Sequence, residues 1–100
     1  MTIVKVNNGK VELRKDNGTL IRTMGNSDAI DANIKSDGTL IVITTIKGKV
    51  ELRKDNGTLV STIGYGDAVG ANFSGDDILI KTKKGKIEIR KPNGVLIKTI

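Results

Sequence analysis

One segment of this chain is written twice without a change: Gly9 to Leu20 and Gly48 to Leu59 both read GKVELRKDNGTL. A third copy, GKIEIRKPNGVL from Gly85 to Leu96, keeps eight of the twelve residues. The copies begin 39 and then 37 residues apart, and a fixed period of this size marks one supersecondary unit used repeatedly. Such a unit buries its faces only against its neighbours, so the stacking of units, and not any single unit, must supply the stability.

Patterning inside the unit points to strands and tight turns, with no credible helix. Val11 and Leu13 alternate with Glu12 and Arg14, whereas Leu40-Ile41-Val42-Ile43 is continuously apolar, as in a strand covered on both faces. Asn8-Gly9, Lys47-Gly48 and Lys84-Gly85 precede the alternating strand, and Asn17-Gly18, Asn56-Gly57 and Asn93-Gly94 follow it. Asn-Gly supplies the positive φ angles of a hairpin turn. Pro92 removes a ladder donor and so must stand at a strand end.

One full period reads as four strands: Asp28 to Lys35, Thr39 to Ile46, Lys49 to Lys54 and Thr58 to Ile63. The last period repeats them as DAVGANFS, DILIKTK, KIEIRK and VLIKTI. Ahead of Gly9, Thr2 to Val6 has room for a second strand and none for a first. The expectation is a single repeat domain over 1–100 with eleven strands, three in unit 2–25 and four each in units 26–64 and 65–100.

Four antiparallel strands in about 40 residues, led by a strand of small residues, is the pattern of a β-propeller blade. The run SDGTLIVITTIKGKVELRKDNGTL, with its turn, apolar strand, Gly turn, alternating strand and second Gly turn, resembles the repeats of tryptophan-aspartate and pyrroloquinoline-quinone-type propellers. Arg53-Lys54 stands where the tryptophan-aspartate pair would fall, and the chain has no tryptophan. The resemblance implies an all-β fold, a β-propeller fragment of nearly three four-stranded antiparallel blades. A β-trefoil and an open β-solenoid are the competing readings; a truncated first repeat and a core poor in aromatics weigh against the trefoil. Closed propellers use four to eight blades, so the expected assembly is a homodimer closing a six-bladed ring head to tail, ahead of a homotrimer.

Chemistry is scarce. The chain contains no histidine and no cysteine, which excludes disulfides and the usual Ser-His and Cys-His nucleophile pairs. No enzymatic activity and no cofactor are expected. Asp76-Asp77 reads as a turn, and Asp28 and Asp67, each opening a first strand, read as loop residues that satisfy backbone donors in preference to a metal. Asp31, Asn33 and Asn72 fall with period two on the innermost strands, where they line an axial channel or face the next blade.

The net charge is +6, and Lys10, Lys47, Lys49, Lys83, Lys84 and Lys86 share one rim, a candidate polyanion surface. Nearby Asp28 and Asp67, and a count of only two aromatic residues, argue against nucleic acid. Glu12, Glu51 and Glu88 interleave with Lys and Arg on the third strands, which reads as a solvated, salt-laced face. Tyr65, in the loop GYGDA, is the one residue placed as a glycan platform. No apolar run approaches the roughly 20 residues of a membrane span, and MTIVKVNNGK lacks the apolar stretch of a signal peptide. A soluble cytoplasmic protein is the default. The sequence thus describes a recently duplicated or engineered repeat protein that self-assembles as a structural or interaction module. The alternative is a propeller face that binds a glycan, a polyanion or another protein.

Overall fold

Glycines at positive φ turn the chain back on itself at the expected places: Gly9, Gly48 and Gly85 at 80–81°, and Gly18, Gly57 and Gly94 at 93–94°. A computed structural model, which describes residues 2–100, shows an all-β fold of eleven strands in three antiparallel sheets. The first sheet holds β1 (Thr2–Asn7), β2 (Lys10–Lys15) and β3 (Leu20–Met24). The second holds β4 (Ala29–Ile34), β5 (Leu40–Thr45), β6 (Val50–Lys54) and β7 (Leu59–Ile63). The third holds β8 (Ala68–Ser74), β9 (Asp77–Thr82), β10 (Ile87–Arg90) and β11 (Leu96–Thr99). In each sheet the strands follow chain order. No sheet closes on itself.

Register makes the repeat explicit. Val4 opposes Leu13, Val42 opposes Leu52, and Leu79 opposes Ile89, so β1, β5 and β9 are equivalent second strands. The first sheet therefore lacks the strand that β4 and β8 supply to the others. Pro92 lies between β10 and β11, where no ladder bond is lost.

Two apolar layers hold the sheets together. Val11, Leu13 and Met24 of the first sheet meet Ala29, Ile41 and Ile43 of the second. Val42, Val50, Leu52 and Ile63 of the second meet Ala68, Ala71, Ile78 and Ile80 of the third. Each sheet thus has a rear face toward the preceding sheet and a forward face toward the next. Only the second sheet is covered on both, which is why β5 is apolar without interruption.

The expectation of a solvated Glu/Arg face is overturned. Glu51 and Glu88 are each 6% exposed, and Glu12 is buried as well. Alternation with period two reveals which residues share a face, but Glu51 and Glu88 lie on faces covered by the preceding sheet, and Glu12 is covered by Asn7 and Arg14 of its own sheet. A buried carboxylate must be paired, and each pairs with the arginine two residues on, Nε to Oε1 at 3.0 Å in all three sheets. The same arginine donates Nη1 to the carbonyl of Gly18, Gly57 or Gly94 in the turn that follows. One guanidinium therefore neutralises the buried acid and fastens the Asn-Gly turn.

Candidate functional site

The junction between sheets is built from three sets of contacts, seen twice within the chain. At the leading strands, the Gly9 carbonyl accepts a hydrogen bond from Ala29 N at 2.9 Å, and the Gly48 carbonyl accepts one from Ala68 N at 3.0 Å. Approach is so close there that a Cβ on Gly9 or Gly48 would collide with the carbonyl of Ser27 or Gly66. On the outer strands, Arg22 Nη1 donates to Asn56 O at 3.3 Å, and Ser61 Oγ donates to Pro92 O at 2.8 Å. Between these lies the apolar layer, with a polar addition: Asn26 Nδ2 donates to Glu51 Oε2 at 3.3 Å, and the Tyr65 ring stacks on Arg90, 4.5 Å from guanidinium to ring centre. Burial alone would lower the Arg90 pKa, but its contacts with Glu88 and Tyr65 outweigh that and hold it above the ordinary value.

The forward face of the third sheet carries the same groups with nothing against them. Leu79, Ile87 and Ile89 occupy the positions of buried Val42, Val50 and Leu52, yet are partly exposed, and Ile100 is 70% exposed. Lys98 opposes Ile89 as Ser61 opposes Leu52 and Arg22 opposes Leu13, so the outer position again holds a donor. A Cβ added to Gly85 meets no atom within 4 Å, unlike its equivalents Gly9 and Gly48.

Facing away from the other sheets at the opposite end, the rear face of the first sheet is more polar. Lys5 stands where Ile43 and Ile80 are buried elsewhere, since it pairs with Glu12 as Ile43 pairs with Glu51. Asn7 Nδ2 donates to Glu12 Oε2 at 3.3 Å and so takes the place of Asn26 from a preceding sheet. Hydrogen bonds from Arg14 and Asn7 hold the Glu12 pKa below its ordinary value. The Asn17-Gly18 turn is also open, with no atom within 4 Å of a Cβ on Gly18.

Asp31, Asn33 and Asn72 share one cleft of about 320 Å³, lined also by Gly70, Leu79, Lys81 and their neighbours. Asn33 Nδ2 donates to Ala71 O at 2.6 Å, and the Asp31 carboxylate lies beside Gly70, so both lean on the third sheet. Asn72, the equivalent of Asn33, is exposed on the open face. Lys10, Lys47, Lys49, Lys83, Lys84 and Lys86 are all exposed at the turns between second and third strands, and Lys49 Nζ donates to Gly64 O. Asp28 and Asp67 anchor their loops beside these turns through their carbonyls, which accept from Ile46 N and Lys83 N. Tyr65 is 69% exposed, but one face of its ring is spent on Arg90. Asp76 sits in the turn before β9 and pairs with Lys35 at 2.8 Å. Among the described residues no group of three metal-ligating side chains converges.

A family model described as Helicobacter pylori IceA2 protein matches residues 1–63, which spans the first two sheets. The chain belongs to that family. The family match ends with β7, and the third sheet lies beyond it. A search of curated proteins found no match.

Proposed function

We propose that the protein is a non-enzymatic, propeller-type repeat that works by self-assembly, as a structural or interaction module. The observation that carries this reading is the forward face of the third sheet, which presents Leu79, Ile87, Ile89 and Ile100 where the first two sheets bury their counterparts. Burying apolar area is worth roughly 25 cal/mol per Å², and a second copy offers a partly matching surface. Its first sheet has the Glu12–Arg14 pair, an open Gly18 turn for Ile100, and the Asn17 carbonyl for Lys98. Head-to-tail contact of two chains, each with three sheets, would close a ring of six propeller-like blades; three chains are the weaker option.

Light scattering tests this directly: the expected mass is twice the 10.7 kDa of one chain. Replacing Ile89 and Ile100 by Asp should return the mass to one chain without unfolding it. A parent protein that stays monomeric at micromolar concentration would overturn the assembly. Binding of heparin through the lysine rim, lost when Lys47, Lys49, Lys83, Lys84 and Lys86 become Gln, would favour the polyanion reading instead.

A further inference from the structure

We infer that the cleft on the third sheet is a docking site for an extended peptide strand of the pattern Gly/Ser-Asp-Ala-x-x-Ala-Asn. This rests on the reading that the open forward face is an interface, and it names the occupant of that face's inner half. Both internal junctions define what belongs there. Residues 27–33 read SDAIDAN and residues 66–72 read GDAVGAN, and each segment lies against the forward face of the sheet before it.

Three features of that contact recur, unfilled, on the third sheet. The carbonyl of Gly9 or Gly48 receives the N–H of the first alanine; among the described residues the Gly85 carbonyl receives no backbone hydrogen bond. Asn33 donates its side-chain amide to the carbonyl of the second alanine, Ala71; its equivalent Asn72 stands exposed in the cleft, its Oδ1 accepting from Phe73 N at 2.9 Å and its Nδ2 turned to the role that Asn33 Nδ2 fills. The side chains that enter are small, since Ala29, Ala68 and Ala71 are all buried, and a cleft of about 320 Å³ floored by Leu79 and Ile87 has room for such a strand. Lys81 occupies the position of buried Thr44, and with Asp31 it gives the cleft one charge of each sign. The occupant is a strand of that pattern, and the cleft reads its backbone at two points and its small side chains between them.

The test uses a fluorescein-labelled peptide with the sequence of residues 64–74, GYGDAVGANFS, titrated with the full chain while light scattering records the mass of the same samples. Saturable binding is expected, at least tenfold weaker for a peptide in which both alanines are leucine. Asn72→Ala, an exposed change that leaves the fold intact, should weaken binding by a similar factor, and Gly85→Ala should abolish it. No binding by a chain that nevertheless assembles would overturn the docking site and leave the assembly reading standing. No binding by a chain that also stays monomeric would overturn both. Binding indifferent to Asn72→Ala and to the leucine peptide would place the peptide elsewhere and equally overturn the inference.

Discussion

The two ends of the stack differ more than the near-identity of their sequences suggests. At the rear of the first sheet, Lys5 replaces a buried isoleucine and Asn7 satisfies Glu12 from within the sheet. At the front of the third sheet, isoleucines, a bare glycine carbonyl and an exposed asparagine face outward where their counterparts meet another sheet. Both ends are built on the same twelve-residue scaffold, so what separates a finished surface from an unfinished one is a few side chains outside it. Identity of the repeat dictates the backbone; the flanking residues decide whether it meets water or another sheet.

The sharpest way to break this comparison is to exchange the two environments. Ile43 is fully buried between sheets, so Ile43→Asp would bury an unpaired charge at a cost of several kcal/mol, comparable to the whole stability of a small domain. Loss of the cooperative urea transition is the expected result. Lys5→Ile at the equivalent position should leave the midpoint nearly unchanged and lower solubility. Equal effects at the two positions would mean that the rear face is as fully buried in the assembled protein as the layer around Ile43.

A smaller contrast concerns glycine. Gly48 and Gly85 have the same φ of 80°, so an alanine at either carries a left-handed strain of about 1 kcal/mol. Only Gly48→Ala also drives a Cβ into the Gly66 carbonyl, which should raise its cost to about 3 kcal/mol or more. Paired urea titrations would read the difference. Convergence of the two values in the assembled protein would locate a partner strand at Gly85.

The smallest effect is a pH dependence confined to the first sheet. Glu12 is held below its ordinary pKa of 4.5 by Arg14 and Asn7, so its stabilisation is fully present above that value and is lost as pH falls through the lowered one. Asn7→Ala should move the acid limb of the stability curve upward, toward the ordinary carboxylate value. A curve unchanged by the substitution would show that Asn7 does not support the pair.

Much of the fold was legible because it is encoded locally. Asn-Gly turns, strands of about six residues and an exact repeat placed eleven strands in the right order, and the uninterrupted apolar run at Ile41 to Ile43 pointed to a sheet covered on both sides. The Glu-x-Arg pairs were misread because alternation carries no information about what lies opposite a face. A signal was present: in every repeat an Asn-Gly turn follows the arginine at the same spacing, so the guanidinium always has a turn carbonyl within reach. The contrast between Gly48 and Gly85 was invisible for a different reason, since it depends on a neighbouring loop and not on the repeat itself. Asp31, Asn33 and Asn72 line one cleft, and the tilt of Asn33 onto the Ala71 carbonyl is a property of two sheets in contact.

The tight Asn8-Gly9 turn gives the molecule a direction of growth. β1 reaches β2 through two residues, Asn8 at φ 52° and Gly9 at 81°, whereas the other sheets insert an extra residue, Ile46 or Lys83, whose N–H holds the leading strand. Any sheet placed ahead of the first, the third sheet of a second copy included, would find that anchor missing and would have to cover Lys5. A unit added behind the third sheet would meet a surface already cut to receive it. The two sides of the proposed contact between copies are therefore unequal, a ready apolar face meeting a polar one.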